Sequence, residues 1–279
     1  MTEDIVAISA LTILGLWVTV AVGGWVHDRG PVLLGFLLRL GIGLGIYLAG
    51  GLVAPDAIGY DQDAMTLVCY WSGDCVDQPD LSAGKEGFTW LLAAIYNFVG
   101  HQPALGIILN VTIASITTAV VMDTCRRLGW IHGAHAAGWL MLFPAFLLWP
   151  SLLLRESLAW LTTVVAVWAA VGLAQRVRGR DVFWLVASLA VAMTVRGSVA
   201  VMVALGLAVG IVLARRHAGV LALTVIGIAF LGDVTRSGWG PVAIVAFSAA
   251  VVGGVVLAWS GAVTTVEKAE NSTVHVPVA

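Results

Sequence analysis

Charged side chains are scarce in this sequence of 279 residues. Its 14 Lys and Arg and 16 Asp and Glu make up 11% of the chain, whereas hydrophobic residues make up 60%. Ordinary soluble domains carry roughly 25% charged residues, so this composition excludes a soluble globular domain. It predicts an integral membrane protein whose first partner is the lipid bilayer, and we expect no nucleic-acid partner.

Several catalytic and structural motifs are also missing from the sequence. It contains no Walker loop, no serine elbow, no zinc-type spacing of His or Cys, and no heptad repeat. Only three cysteines occur, and two of them stand close together in "CYWSGDC". Cys69 and Cys75 would form a disulfide if this segment lies outside the cytoplasm, or else remain a pair of thiols.

Long apolar stretches occupy most of the chain, and short polar joints separate them. Because a spanning segment in lipid must satisfy its own backbone, the pattern predicts an all-α, polytopic bundle of about nine transmembrane helices. We expect a single transmembrane domain over 1–262 and a disordered cytoplasmic tail over 263–279. The predicted spans are 5–24, 32–53, 103–122, 134–150, 156–174, 182–195, 198–214, 218–232 and 240–259.

The distribution of basic residues predicts the orientation of these spans. Lys and Arg in short loops stay on the cytoplasmic side. If the short apolar stretch 86–100 lies on the outer surface and the N-terminus is outside, nine basic residues fall inside and four outside, with Arg39 within a span. If 86–100 crossed the membrane, the bias would reverse. We therefore expect a multi-pass protein of the plasma (inner) membrane with a cytoplasmic C-terminus.

This orientation makes 55–102 the first large outer loop. The loop opens with "APDAIGYDQDA", which contains Asp56, Asp61 and Asp63, and it continues into the amphipathic stretch 86–100, for which we expect a helix on the membrane surface. Long loops of this kind are usually functional, although a solvated acidic loop that only helps topology is the alternative. The aspartates could also hold a divalent cation through their carboxylate oxygens.

Two further charged positions fall on the same predicted outer face. Arg155 and Glu156 follow the Pro-Ser turn in "WPSLLLRESL", and Arg196 separates two apolar runs in "MTVRGSVAVM". Charges near membrane depth are costly and indicate either a functional site or an internal ion pair. Two arginines suit a phosphate, because guanidinium groups match its oxygens and stay charged when desolvated.

The order of these features resembles the polytopic GT-C glycosyltransferases, and most closely the bacterial branch similar to protein mannosyltransferases. In that family an Asp early in the first outer loop is commonly followed by Tyr and Ala at intervals of four, and Asp56, Tyr60 and Ala64 fill those places. The resemblance covers about residues 35–215. It rests on "PDAIGYDQDA", "GKEGFTWLLAAIYNFVG", "ALGIILNVTIASITTAVVMDTCRRLG", "FPAFLLWPSLLLRESLAWL" and "VRGSVAVMVALGLAVGIVL".

The resemblance implies transfer of a sugar from a polyprenyl-phosphate donor to a glycan or protein acceptor of the cell envelope. Asp56 would be the catalytic base. No cofactor is implied, apart from the divalent cation already considered. The residues implied in substrate binding are Tyr60, Asp61, Asp63, Lys85, Glu86, Arg155, Glu156 and Arg196.

Two other classes of protein remain open. A transporter or flippase for lipid-linked sugars would use the arginines to bind its substrate, but it predicts charges and broken helices near the membrane midplane. The predicted spans are nearly uncharged at their centres. A non-catalytic membrane protein of the envelope machinery is the second alternative.

Overall fold

A computed structural model describes residues 2–75 and 86–214, and this part of the chain is helical without a β-strand. The prediction of an all-α fold is confirmed for these residues. Lys85, the predicted spans 218–232 and 240–259, and the predicted tail 263–279 lie outside the described residues. The helices are α1 (Thr2–Trp25), α2 (Arg29–Gly50), α3 (Pro55–Ser72), α4 (Glu86–Val99), α5 (Pro103–Arg127), α6 (Ile131–Leu140), α7 (Pro144–Leu148), α8 (Glu156–Gln175) and α9 (Gly179–Ala214).

Five helices in the described part are long and apolar enough to cross a membrane. They cover Ile5–Trp25, Arg29–Gly50, Pro103–Arg127, Glu156–Gln175 and Gly179–Leu207. The chain is therefore a membrane protein, as its composition predicts. The predicted number of nine spans is not reached by these helices, and two of the nine predicted spans fall beyond residue 214.

The predicted span 134–150 is a bent pair of helices in the structure rather than one straight helix. Ile131–Leu140 and Pro144–Ser151 are inclined by 68° to each other, and together they would make a sixth crossing. Pro144 explains the break, because proline disfavours helical backbone at the preceding residue and cannot donate a helix hydrogen bond. Phe143 accordingly has extended ψ (141°), and Pro144 begins α7.

The predicted spans 182–195 and 198–214 both lie within α9. The backbone of Arg196 is non-helical (φ −161°, ψ 80°), so the helix is interrupted between the two predicted segments.

The chain is divided into two compact units, and the boundary between them in the sequence follows this interruption. One consists of Met1–Leu173 with Val177–Gly197, and the second includes Ala174–Arg176 and continues from Ser198. Asp56, Tyr60, Arg155, Glu156 and Arg196 all belong to the first unit.

Helix α5 is the central helix of the first unit. Of its apolar window 78% is buried inside the protein, against 11% for α1. Its neighbours include α1, α2 and α6. Close packing depends on Gly43 of α2, where an added Cβ would lie 2.5 Å from the carbonyl oxygen of Ser151 and 2.7 Å from Cγ2 of Ile107.

Arg39 lies inside α2 and is completely buried. Its guanidinium donates hydrogen bonds from Nε to the Phe146 carbonyl at 2.9 Å and from a terminal nitrogen to the Met141 carbonyl at 2.7 Å. The break after α6 leaves the Met141 carbonyl without its usual helix donor, and Pro150, which has no N–H, cannot donate to the Phe146 carbonyl. Arg39 thus stabilises the corner between α6 and α7.

The predicted outer loop 55–102 contains two packed helices, α3 and α4, rather than one helix behind an open acidic segment. Apolar residues of α3 recur at helical spacing, and Ala57, Tyr60, Ala64 and Leu67 are buried. They form one core with residues of α4, α5 and the segment before α8. That core includes Phe88, Leu92, Tyr96, Val111 and Leu153. The three aspartates of "APDAIGYDQDA" are therefore held on a helix.

Candidate functional site

The first turn of α3 positions Asp56. Pro55 occupies an initial helical position, where its missing N–H is no loss, and Asp56 follows with its carboxylate near the positive end of the helix dipole. The Asp56 side chain is exposed, whereas Tyr60, one turn further along, is 3% exposed. The helix thus presents a carboxylate to the surface directly before a buried phenol.

Arg155 and Glu156 are positioned by a hydrogen-bonded segment before α8. Asn110, buried in α5, donates through Nδ2 to the carbonyls of Leu152 at 2.8 Å and Leu154 at 2.7 Å. These bonds hold the non-helical residues that precede α8, and Glu156 begins that helix. Asn110 therefore fixes the place at which the two charged residues emerge.

Arg196 reaches the same region from the interruption of α9. Its guanidinium lies 3.5 Å from Oε1 of Glu156, and the two side chains are 44% and 23% exposed. Arg155 donates a hydrogen bond of 3.2 Å to the carbonyl of Val195, the residue before the break. The three predicted charges at 155, 156 and 196 are thus brought together, with Glu156 paired to one arginine and adjacent to the other.

The hydroxyl of Tyr60 lies within the electrostatic field of all these groups. Burial raises the pKa of Tyr60 to about 12, the positive charges of Arg155 and Arg196 oppose the rise, and the negative charges of Glu156 and Asp56 add to it. The ring packs edge-on against Phe88, with centroids 5.1 Å apart. The charges of Asp56, Arg155, Glu156 and Arg196 therefore all act on one buried phenol.

Three polar atoms in this region are buried without a hydrogen-bond partner among the described residues. They are the Tyr60 hydroxyl, Oε2 of Glu156 and Oγ of Ser157. Buried polar atoms in folded proteins are nearly always hydrogen bonded, so such a group calls for an explanation. Two of the three belong to residues that the sequence singles out as candidates.

Asp61 is engaged differently from Asp56. Its Oδ1 accepts a 2.7 Å hydrogen bond from the Tyr96 hydroxyl, and Nε2 of His101 lies 3.0 Å from the same oxygen. Burial raises the pKa of Tyr96, and its hydrogen bond to the Asp61 carboxylate raises that pKa further. Asp61 therefore joins α3 to the end of α4 and to the turn that follows it.

The remaining predicted residues of the outer segment lie apart from this arrangement. Asp63 is exposed on α3, and Glu86 lies in the first turn of α4 with its side chain partly exposed. Cys69 and Cys75 form a disulfide at the end of α3, with their Cα atoms 5.3 Å apart. No group of three or more His, Cys, Asp or Glu side chains in residues 2–75 and 86–214 is arranged to hold a metal ion.

A second polar cluster, which sequence reasoning missed, lies at the opposite ends of α5 and α8. Asp123 accepts hydrogen bonds from Nε1 of Trp168 at 2.6 Å and from Nε of Arg127 at 3.2 Å. The Arg127 guanidinium stacks 3.6 Å above the Trp168 ring and lies 3.6 Å from the buried carboxylate of Asp181. The paired charges at 123 and 127, four residues apart, were the available signal.

Fold and site together define a helical membrane protein in which Arg155, Glu156 and Arg196 lie together and their charges act on Tyr60. Comparison with protein-family models, curated proteins and solved structures finds no match for this chain.

Proposed function

We propose that this protein is a membrane glycosyltransferase that moves a sugar from a polyprenyl-phosphate donor to a hydroxyl acceptor at the outer face of the plasma membrane. The observation that carries the proposal is electrostatic and geometric: the charges of Asp56, Arg155, Glu156 and Arg196 all act on the pKa of buried Tyr60, and Arg196 from the break in α9 lies 3.5 Å from Glu156 at the start of α8. A general base and cationic groups that stabilise a departing phosphate are what this chemistry uses.

The roles follow from the chemistry of each group. The Asp56 carboxylate accepts the proton of the acceptor hydroxyl, whose oxygen attacks the anomeric carbon of the donor sugar. The bond between that carbon and the phosphate oxygen breaks, and the polyprenyl phosphate departs with the bonding electrons. Arg155 and Arg196 stabilise the negative charge of this leaving group.

The disulfide of α3 supports the proposed orientation. Disulfides persist in oxidising compartments and are rare in the cytoplasm, so Cys69–Cys75 favours an outer location for α3 and hence for Asp56. The charges of Asp56 and of Arg155 and Glu156 at the start of α8 act on the same tyrosine. Arg127 and Asp181 instead form an ion pair between the C-terminal end of α5 and the first turn of α9. This arrangement agrees with the basic residues at 126, 127, 176, 178 and 180 facing the cytoplasm.

The proposal is tested with Asp56→Asn in membranes supplied with labelled polyprenyl-phosphate sugars. We expect transfer to fall at least about 100-fold, the usual contribution of a general base. Asp63→Asn is the matched control, because it removes an exposed carboxylate from the same helix, and it should keep wild-type activity. Undiminished transfer by Asp56→Asn rejects the assigned base, and absence of transfer by the wild-type chain with every donor rejects the function.

A further inference from the structure

The buried polar atoms of Tyr60 and Glu156 have a chemistry different from that of the neighbouring arginines. Tyr60 offers a hydroxyl that can donate and accept a hydrogen bond, and Oε2 of Glu156 can accept one. Both atoms are buried without a partner among the described residues. Buried polar atoms are nearly always hydrogen bonded, and a bound polar molecule would supply partners to these two.

A phosphate is a poor match for this pair of atoms. The Glu156 carboxylate would repel an anion, since like charges at short distance in a partly buried site interact unfavourably. A neutral hydroxyl group fits instead, because it can donate to the carboxylate oxygen and accept from the phenol. The complementary ligand is therefore a neutral polyol, and the ring hydroxyls of a sugar are of this class.

The position of Glu156 indicates which sugar would be held there. Glu156 follows Arg155 directly in the chain, and its other oxygen lies 3.5 Å from Arg196, so the polyol position adjoins the proposed phosphate position. In a polyprenyl-phosphate sugar the ring hydroxyls lie a few bonds from the phosphate. The donor sugar, rather than the acceptor, has this geometry.

We propose that Tyr60 and Glu156 form the subsite that recognises the hydroxyl groups of the donor sugar, while Arg155 and Arg196 hold its phosphate. This assignment rests on the proposed glycosyltransferase function. The Arg196 side chain is 44% exposed and contacts the other carboxylate oxygen of Glu156 at the interruption of α9.

The test compares two phosphodiesters of equal charge, citronellyl phosphate esterified with a methyl group and citronellyl phosphate esterified with a mannosyl group, with the purified full-length protein in detergent. Other hexosyl and pentosyl groups are substituted for mannose in further probes of the same chain length. Binding is measured by calorimetry or by quenching of intrinsic fluorescence. The variants are Tyr60→Phe and Glu156→Gln, which keep the size of each side chain, and Arg196→Gln.

We expect at least one sugar-bearing probe to bind the wild-type protein at least tenfold more tightly than the methyl-bearing probe. Tyr60→Phe and Glu156→Gln should each remove most of this difference. Tyr60→Phe should leave the affinity for the methyl-bearing probe within about twofold, Glu156→Gln should leave it unchanged or raise it because a negative charge beside Arg196 is removed, and Arg196→Gln should weaken both probes. If Tyr60→Phe and Glu156→Gln unfold at the same temperature as the wild-type protein, their loss of affinity for the sugar-bearing probe is not caused by misfolding.

Three outcomes would overturn the assignment. If the sugar adds no affinity in the wild-type protein, or if Tyr60→Phe and Glu156→Gln bind sugar-bearing probes as tightly as wild type, the subsite is wrong although the proposed function stands. If the two variants instead lose only the binding of methyl glycosides added as acceptors, the subsite belongs to the acceptor. If neither phosphate probe binds the wild-type protein, the proposed function and the subsite both fail.

Discussion

Tyr96 donates a 2.7 Å hydrogen bond to Asp61, and this contact closes the helical hairpin of α3 and α4 over a separation of 35 residues. His101 reaches the same carboxylate from the turn after α4. The Tyr96 ring is almost completely buried, so its hydroxyl depends on Asp61 for a partner. The site residues Asp56 and Tyr60 lie on the helix that this bond holds in place.

Replacing Asp61 should therefore destabilise the protein more than replacing Asp63 on the same helix. Asp61→Ala leaves the buried Tyr96 hydroxyl without its acceptor and should lower the free energy of unfolding by about 2 kcal/mol. Asp63→Ala removes an exposed carboxylate and should change it by no more than about 0.5 kcal/mol. Unfolding in mixed detergent measures both, and equal effects of the two substitutions would show that Asp61 is not a tether.

Alkaline titration should reveal the buried phenol of Tyr60. Its pKa is raised by burial to about 12, so the folded protein favours the protonated form more than the unfolded chain does. The associated stability is present below the ordinary tyrosine pKa of about 10 and is lost as the pH rises through about 12. The loss amounts to about 3 kcal/mol for a shift of about two units, on the scale of 1.36 kcal/mol per pKa unit.

Absorbance at 295 nm follows this titration, since the chain has only four tyrosines. Tyr60→Phe should remove one component that titrates near pH 12 and should make the protein less sensitive to alkali. At pH 7 the same substitution should leave stability unchanged or raise it slightly, because it deletes a buried hydroxyl that lacks a partner. A lower stability of Tyr60→Phe at pH 7 would point to a partner for the hydroxyl within the fold.

Two glycines of α2 provide a test of the packing beneath the site. Gly43→Ala places a methyl group against the Ser151 carbonyl and Ile107, and overpacking of this kind costs about 1 to 3 kcal/mol. Gly41→Ala meets no atom within 4 Å and should stabilise the helix by up to about 1 kcal/mol through its better helix propensity. We expect the two substitutions to change the free energy of unfolding in opposite directions. A stabilising effect of Gly43→Ala would contradict the close approach of Gly43 to Ser151 and Ile107.

The proposed topology is tested with single cysteines at exposed positions on opposite faces, in a Cys125→Ser background. In intact cells a membrane-impermeant maleimide should label Asp63→Cys and should reach Arg178→Cys only after permeabilisation. Labelling of both positions in intact cells would mean that the helices between them cross the membrane an even number of times and would overturn the topology. Labelling of Arg178→Cys alone would show that the chain is inserted the other way round.

The sequence predicts the helical membrane fold, because the backbone N–H and C=O groups of a long apolar run in lipid must be hydrogen bonded within the run, as they are in an α-helix. It also contained the signals for α3, which the prediction of a loop overlooked. Pro55 stands at the start of the helix, Ala57, Tyr60, Ala64 and Leu67 recur at helical spacing, and Gly73 ends it in the left-handed conformation. The many aspartates obscured this amphipathic pattern.

Contacts between segments far apart in the chain could not be predicted from the sequence. Asn110 is a lone amide within an apolar helix, which indicates a functional or structural role but names no partner. Its partners are the backbone carbonyls at 152 and 154. Because every residue has a backbone carbonyl, the residue types in the sequence do not show which carbonyls accept these bonds. The same applies to Arg39, whose acceptors are also carbonyls. Side-chain charges at 56, 155, 156 and 196 could be proposed as one site because their chemistry is visible in the sequence.

Arg39 also has a consequence for biogenesis. Its two acceptors lie 102 and 107 residues further along the chain, so they do not yet exist when α2 leaves the ribosome. At a synthesis rate of about 5 to 20 residues per second, the arginine waits roughly 5 to 20 s for its partners. Until the bent segment has been made these two hydrogen bonds cannot form, so α2 leaves the ribosome with a guanidinium that still lacks its acceptors.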